Sequence, residues 1–347
     1  MDPFQAERSG CQVMRKCIEI VVQGLRLRGV VQLPPAGEST AASGFNGLGV
    51  IILHPGFLPR SAQGDFAVAL GDTLARKGIQ TIRIDMPGLG DSEGDLPEDS
   101  FTFIDTVQEG GLADAACECM DRIKDQLGLQ RVIIGGHCGG AITGFFALAK
   151  RKRSWLVGLF ALDVIFHSVR PVQAPVKSAD GRVVRESLSL RREVLRNEIR
   201  MALLNTPLGG GLQKLVQRTR DYLRPRRSNG APRPARSSSE SAGHEPGSGE
   251  LPPEANSKLV ECIGQVLRSG LPLLFVTADD PTKQSGFDYT EHLLSRCGGR
   301  ASRKRIAGTD HGFVSGGGKT RASECVAEWI AGEFRNPSSP QMTAPRV

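Results

Sequence analysis

The spacing of hydrophobic residues changes along the chain, and each change predicts a different element. Apolar and polar residues alternate on both sides of Gly24 in CIEIVVQGLRLRGVVQLP, which predicts an antiparallel β-hairpin. Four mainly apolar runs then predict strands covered on both faces: LGVIIL, IQTIRID, RVIIGG and WLVGLFALD. Helical spacing is found between them, at residues 66–77 and within GLADAACECMDRIKDQLGL and AITGFFALAK.

The alternation returns near the end of the chain. SKLVECIGQVLRSGLPLLFVTADD predicts a helix and a strand, YTEHLLSRC a helix, RKRIAG a short strand, and residues 322–334 a terminal helix. Strands that alternate with helices of this length favour a mostly parallel sheet. The predicted class is therefore α/β, with helices on both faces of the sheet and an antiparallel hairpin at its N-terminal end.

A long segment without this alternation interrupts the predicted core. Residues 167–223 have helical spacing with charged faces and predict a basic helical cap. Residues 224–257 are rich in Pro, Ser and Gly, and we expect a flexible loop because they offer too little apolar surface to order themselves. The core would then consist of residues 1–166 and 258–335, followed by a disordered tail at 336–347.

The composition is that of a soluble globular protein, with 39% hydrophobic and 5% aromatic residues. The net charge of +7 is concentrated in one segment, since residues 167–236 contain 16 Lys or Arg against 5 Asp or Glu. No aromatic-rich basic motif accompanies this charge. We therefore expect a solvated or anion-facing surface and no nucleic-acid binding.

Targeting, membrane and metal signals are also absent from the sequence. The N-terminus has no apolar h-region, and the longest apolar run, WLVGLFALDVIF, is too short to span a bilayer and contains Asp163. These features predict a cytoplasmic protein without a transmembrane segment. The eight cysteines show no metal-ligand spacing, so we expect reduced thiols, no metal and no cofactor.

One cysteine is placed where a strand is predicted to turn into a helix. In RVIIGGHCGGAITG, Cys138 lies among glycines in the small-x-nucleophile-x-small pattern of a nucleophile elbow. Such a turn strains the backbone at the nucleophile and brings strand and helix close together, which requires very small neighbours. The start of the following helix would also favour a thiolate.

With this motif the chain resembles the α/β-hydrolase family, over nearly its whole length outside the insertion and the tail. The resemblance implies a triad ordered as nucleophile, acid and histidine. Cys138 matches the nucleophile in place of the usual Ser, as in dienelactone hydrolases. Asp280 in TADDP matches the acid, with Asp279 as the alternative, and His311 in GTDHGF matches the histidine.

The same resemblance implies two backbone donors for an oxyanion. One is the amide of Gly139, directly after the nucleophile. The other belongs to the HPGF loop after the first parallel strand, where Pro55 has no N–H and Phe57 is the candidate. His54, Gly56 and His137 are possible pocket residues; the two histidines have structural roles as the alternative.

These residues predict an acyl hydrolase that acts on an ester or a thioester through a covalent acyl-enzyme. The alternatives are an acyltransferase with the same triad and an inactive scaffold or binding protein. The expected partner is a small-molecule or carrier-bound acyl substrate, with the basic cap as a possible dock for an anionic substrate or carrier. The arginine-rich and leucine-rich cap also looks faintly like that of bacterial hydrolases associated with exosortase and exopolysaccharide gene clusters.

Overall fold

A computed structural model of the chain describes residues 12–35, 44–97, 100–166, 251, 255–279, 288–297 and 300–335. The predicted cap at 167–223, most of the predicted loop at 224–257 and the predicted tail at 336–347 lie outside these residues. All of the described residues belong to one unit, which comprises Met1–Arg170 and Ser248–Val347.

A single eight-stranded sheet forms the centre of this unit. Its order is β1-β2-β4-β3-β5-β6-β7-β8, and only the pairs β1–β2 and β2–β4 are antiparallel. This confirms the predicted hairpin and the predicted, mostly parallel sheet. The strands are β1 Met14–Val22, β2 Leu25–Leu33, β3 Leu48–Leu53, β4 Gln80–Ile84, β5 Arg131–His137, β6 Leu156–Leu162, β7 Leu273–Asp279 and β8 Ala301–Ala307.

From β3 onward a helix lies between successive strands, as the sequence pattern predicts, and a last helix follows β8. They are α1 Phe66–Arg76, α2 Ser100–Gln108, α3 Ala113–Leu127, α4 Gly139–Lys150, α5 Ser257–Arg268, α6 Tyr289–Cys297 and α7 Gly318–Phe334. The terminal helix begins four residues before the predicted start at Ala322. The pattern also missed α2, whose sequence SFTFIDTVQ is short and mixes apolar and polar positions irregularly.

The core lies on both faces of the sheet because successive strand residues point to opposite sides. In β3, Ile51 and Leu53 pack on the face covered by α3, α4 and α5, whereas Val50 and Ile52 pack on the face covered by α1 and α7. All four of these side chains are buried. The strands that carry the predicted site are therefore fixed from both sides.

The two ends of the insertion meet at the edge of this core. The amide of Asn256 donates to the carbonyl of Phe166 at 2.7 Å, and the Phe166 ring stacks on Tyr289 at 5.2 Å. Ala255 and Asn256, assigned by sequence to the end of a flexible loop, are buried. The insertion thus leaves the core and returns to it at the same place.

None of the helices within the described residues is long and apolar enough to cross a membrane.

Candidate active site

Cys138 occupies a strained turn between β5 and α4. Its backbone has φ 51° and ψ −113°, a conformation that an L-residue rarely adopts, and it is the N-cap of α4. Its amide donates to the carbonyl of Leu162 at 2.8 Å, which ties the turn to β6. The side chain is partly exposed, next to the positive end of a helix, where a negative charge on sulfur is favoured.

The glycines around Cys138 are explained by close backbone contacts. A Cβ on Gly140 would lie 2.5 Å from the carbonyl oxygen of Leu53, and a Cβ on Gly139 would lie 2.7 Å from the amide nitrogen of Gly56. A Cβ on Gly136 would meet the Gly140 backbone at 2.8 Å. Any side chain at these positions would push the elbow away from β3 and from the loop that follows it.

His311 lies on a short loop after β8 that is closed by its own hydrogen bonds. The amide of Val314 donates to the Asp310 carboxylate at 2.9 Å, and the amide of Asp310 donates to the Ser315 hydroxyl at 3.0 Å. Phe313 has φ 55° and is completely buried, so its ring anchors the loop in the core. The position of His311 is therefore defined by a compact turn.

The structure brings His311 between a sulfur and a carboxylate. Its Nδ1 lies 2.6 Å from Oδ2 of Asp163, and its side chain also hydrogen-bonds Cys138. Because Nδ1 contacts the carboxylate, Nε2 is the ring nitrogen available to hydrogen-bond the sulfur. Nucleophile, imidazole and carboxylate thus form one hydrogen-bonded chain.

Asp163 is a residue that the sequence reasoning missed as a site residue. It follows β6 directly, has φ 41°, and its side chain is 4% exposed. Its amide donates to the carbonyl of Val276 at 2.7 Å, and its Oδ1 accepts from the amide of Ala278 at 3.1 Å. The carboxylate is thereby held at the end of β7, although Asp163 directly follows β6 in the chain.

The sequence predicted that the acid would come from β7 itself. Asp280, the first choice, lies outside the described residues, and Asp279, the alternative, is exposed at the last position of β7. The carboxylate that contacts His311 in the structure is that of Asp163 instead. Its position as the first residue after a parallel strand next to β5 was the available signal, because carboxyl ends of parallel strands share one edge of the sheet.

The two neighbours of His311 have a large effect on its protonation. Burial alone would lower the pKa of His311, but attraction to negatively charged Cys138 and the hydrogen bond to Asp163 outweigh it and raise the pKa to about 10. His311 therefore stays protonated at neutral pH. The imidazolium thus lies between the sulfur of Cys138 and the carboxylate of Asp163.

The HPGF loop borders the elbow on the β3 side. Gly56, with φ 73°, packs directly against Gly139, which brings the next residue, Phe57, close to the nucleophile turn. The Phe57 side chain is exposed. The His54 ring is buried and stacks on Phe103 at 6.5 Å, and burial lowers the pKa of His54 to about 4. His54 is therefore uncharged at neutral pH.

A partly buried ion pair lies next to this loop. The amide of Arg60 donates to Oδ1 of Asp85 at 2.5 Å, its guanidinium pairs with the same carboxylate, and it also contacts Asp91 at 2.7 Å. The Ser92 hydroxyl donates to the carbonyl of Asp85 at 2.8 Å. The loop after β4 thus holds the loop after β3 in place.

His137 connects the elbow to the histidine loop. Its Nε2 lies 2.6 Å from the backbone oxygen of His311, and the two rings have centroids 4.6 Å apart. The side chain is buried, next to Phe66 and Phe313. Of the possible pocket residues, His137 is thus the one in contact with the predicted histidine.

The remaining cysteines in the described residues have other surroundings. Burial raises the pKa of the Cys119 thiol to about 12, and it also raises the pKa of Cys262 and of Cys325. Cys17 is exposed on β1. Among the residues that the structure describes, no group of three or more His, Cys, Asp or Glu side chains is placed to hold a metal ion.

Comparison with known families supports the fold. The family model for the alpha/beta hydrolase fold matches residues 49–161, which run from β3 to β6 and include Cys138. No functionally curated protein matches the sequence.

Solved structures give the same result over almost the whole chain. The α/β hydrolase GrgF from Penicillium sp. sh18 is 14% identical, with a TM-score of 0.53, and the match covers 92% of this chain and 99% of that one. A dienelactone hydrolase from Anabaena variabilis is 13% identical, with a TM-score of 0.50 and coverages of 93% and 100%. A thermophilic esterase from Thermogutta terrifontis is 16% identical, with a TM-score of 0.50 and coverages of 92% and 99%.

These findings confirm the predicted fold class: the chain has the α/β-hydrolase fold, with an N-terminal antiparallel strand pair. Structural similarity at such low sequence identity shows the fold and does not show the reaction.

Proposed function

We propose that the protein is an acyl hydrolase that cleaves an ester or thioester bond through a covalent intermediate on Cys138. The observation that carries the proposal is the hydrogen-bonded chain from Cys138 through His311 to Asp163, built on a strained elbow. Strain at one residue persists only where the surrounding structure enforces it, and here it presents a nucleophile. In this proposal Asp163 takes the role that the sequence assigned to Asp280 or Asp279.

Acylation begins with attack of the Cys138 sulfur on the acyl carbon. The sulfur–carbon bond forms, and the carbonyl oxygen becomes an oxyanion that accepts hydrogen bonds from the amides of Gly139 and Phe57. The bond to the leaving alcohol or thiol then breaks, and His311 donates its proton to that group. The products of this half are a free alcohol or thiol, a thioester on Cys138 and a neutral His311.

Deacylation reverses the role of His311. The neutral imidazole accepts a proton from water while the hydroxide adds to the thioester carbon. The carbon–sulfur bond breaks, the carboxylic acid leaves, and Cys138 and His311 return as an anion and a cation. Asp163 keeps Nδ1 protonated throughout and stabilises the imidazolium.

A thiolate leaves readily from its own acyl-enzyme, which also suits transfer of the acyl group to another acceptor. An acyltransferase with the same three residues is therefore the second candidate. The basic segment at 167–223, which the structure does not describe, stays a predicted cap that docks an anionic or carrier-bound substrate. Location in the cytoplasm and a bacterial exopolysaccharide context likewise stay predictions.

The test is intact mass spectrometry after brief exposure to a small activated acyl thioester and to the matching ester. We expect the unmodified protein to gain one acyl group and then lose it to water. Cys138→Ala should gain none. His311→Ala should be acylated at least about a hundredfold more slowly than the unmodified protein, because general acid–base catalysis is lost. Cys17→Ala is the matched control, since Cys17 is an exposed thiol far along the chain from the site.

Three results separate the alternatives. Loss of the adduct only when an alcohol, amine or thiol acceptor is added would favour the acyltransferase. An unmodified protein, or equal labelling of the protein and of Cys138→Ala, would contradict both and favour a non-catalytic scaffold. Equal acylation of the protein and His311→Ala would contradict the role of the imidazole.

A further inference from the structure

The residue before the nucleophile makes a contact that the proposed mechanism does not use. Nε2 of His137 lies 2.6 Å from the backbone oxygen of His311, 174 residues further along the chain. A carbonyl oxygen only accepts hydrogen bonds, so Nε2 of His137 carries the proton and donates it. The tautomer at this nitrogen is thereby defined by its partner.

This hydrogen bond joins the two loops whose separation sets the reaction geometry. His137 is covalently linked to Cys138, and its ring touches the ring of His311, with 4.6 Å between centroids. Its other neighbours are the rings of Phe66 and Phe313, at 6.2 and 5.9 Å. The side chain of His137 is 5% exposed, so the contact is shielded from water. A hydrogen bond is stronger in such an interior than in water.

The internal hydrogen bonds of the histidine loop fix its shape, and the buried Phe313 ring anchors it in the core. The Asp310–Val314 and Asp310–Ser315 hydrogen bonds close the turn without attaching it to β5. A second contact comes from Gln63, whose side chain packs so closely on Gly312 that a Cβ there would lie 2.4 Å from it. His137 and Gln63 therefore add two further contacts to the loop, and the contact from His137 comes from the last residue of β5.

We propose, on the basis of the proposed function, that His137 is a positioning residue that holds His311 at hydrogen-bond distance from the Cys138 sulfur. It acts through the main chain of His311 and takes no proton from the substrate. A shift of about 1 Å in a reacting group costs up to about a hundredfold in rate, which sets the expected scale of the effect.

The test measures the rate of Cys138 alkylation by iodoacetamide at neutral pH, mapped by peptide mass, together with kcat and KM for an activated ester. His137→Phe keeps a ring among Phe66 and Phe313 but removes the donor. His137→Gln places an amide N–H near the position of Nε2. We expect His137→Phe to lower the alkylation rate and kcat by about tenfold to a hundredfold with little change in KM, and His137→Gln to restore part of the loss.

The same substitutions in a His311→Ala background distinguish positioning from general support of the fold. With the imidazole gone, His137→Phe should have no further effect on alkylation, whereas a purely structural role would lower the rate in both backgrounds. His292→Phe, on α6 and outside the site, is the matched control and should leave all rates unchanged.

Several results would overturn the inference. His137→Phe with an unchanged rate, or with the same loss in the His311→Ala background, would show that His137 does not act through His311. If His137→Phe fails to fold, the decision rests on His137→Gln, which must retain more than a tenth of the rate. If His311→Ala itself leaves alkylation unchanged, the proposed function fails first, and that result is recognisable without any variant of His137.

Discussion

At the scale of single residues, Asp163 shows what sequence spacing can and cannot establish. The sequence predicted Cys138 and His311, which the structure brings together, but it placed the acid on β7. Asp163 directly follows β6, yet the amide of Ala278 on β7 donates to its carboxylate, which therefore lies next to the strand from which the sequence predicted the acid. The carboxyl ends of parallel strands lie at the same edge of the sheet. The sequence alone does not show which of the carboxylates at this edge contacts the histidine.

Replacement of Asp163 by Ala tests its role directly. The change removes the acceptor for the buried Ala278 amide and for Nδ1 of the partly buried His311 side chain, so we expect a loss of about 1–3 kcal/mol in the free energy of unfolding. The acylation rate should fall roughly a hundredfold or more because the imidazole loses its orientation and its countercharge. Stopped-flow kinetics and urea titration measure the two effects.

Asp279→Ala is the matched control, because Asp279 is an exposed carboxylate at the end of the adjacent strand. We expect it to retain nearly full activity and stability. Strong loss of activity in Asp279→Ala or Asp280→Ala, with Asp163→Ala close to normal, would return the acid to the position that the sequence predicted.

At the scale of elements, the elbow was predictable because its glycine motif is local in the sequence. Glycines 136, 139 and 140 are needed where β5, α4 and the HPGF loop approach each other. All three lie within five consecutive residues, so the sequence shows them as one motif. The helix α2 was missed because its nine residues lack a clear period. Its place depends on packing instead: Phe103 reaches His54, and Val107 lies against Gly139.

Substitution of Gly140 by Ala should damage the elbow. The new methyl would lie 2.5 Å from the Leu53 carbonyl oxygen and 2.7 Å from that of His54, so the helix or the loop must shift. We expect a loss of about 1–3 kcal/mol in stability and a fall in acylation. Thermal denaturation and the acyl-adduct assay give the two measurements.

Gly332→Ala in α7 is the control for the glycine itself. A Cβ there meets nothing within 4 Å, so the better helix propensity of Ala should stabilise the protein by up to about 1 kcal/mol. Equal stability changes in the two variants would contradict the steric explanation of the elbow.

At the scale of the whole molecule, the core is assembled from two stretches of chain separated by the insertion. The sequence predicted this division from periodicity, but it did not show where the second stretch attaches. Asn256 makes the attachment: its Nδ2 donates to the carbonyl of Gln108 at 2.8 Å, and its Oδ1 accepts from the amide of Leu259 at 3.1 Å as the N-cap of α5. Asn256 and Gln108 are 148 residues apart, so no local sequence pattern predicts their contact.

Asn256→Ala should therefore lower the stability of the whole unit. Loss of the cap costs about 1 kcal/mol, and the buried carbonyl of Gln108 loses this donor as well. We expect a decrease of about 2 kcal/mol in urea unfolding, whereas Asn46→Ala, at an exposed position, should change little. A similar small change in both variants would show that the two stretches are joined mainly by apolar packing.

The pairing of Cys138 with His311 is the central claim, and an NMR titration of the His311 imidazole tests it most directly. The charged form of His311 is favoured by its neighbours Cys138 and Asp163, so its proton should be lost only near pH 10 instead of near 6.5. In Cys138→Ala one of these neighbours is gone, and the pKa of His311 should fall clearly below that in the unmodified protein. A His311 that titrates near 6.5 in the unmodified protein, or at the same pH in both, would contradict the account.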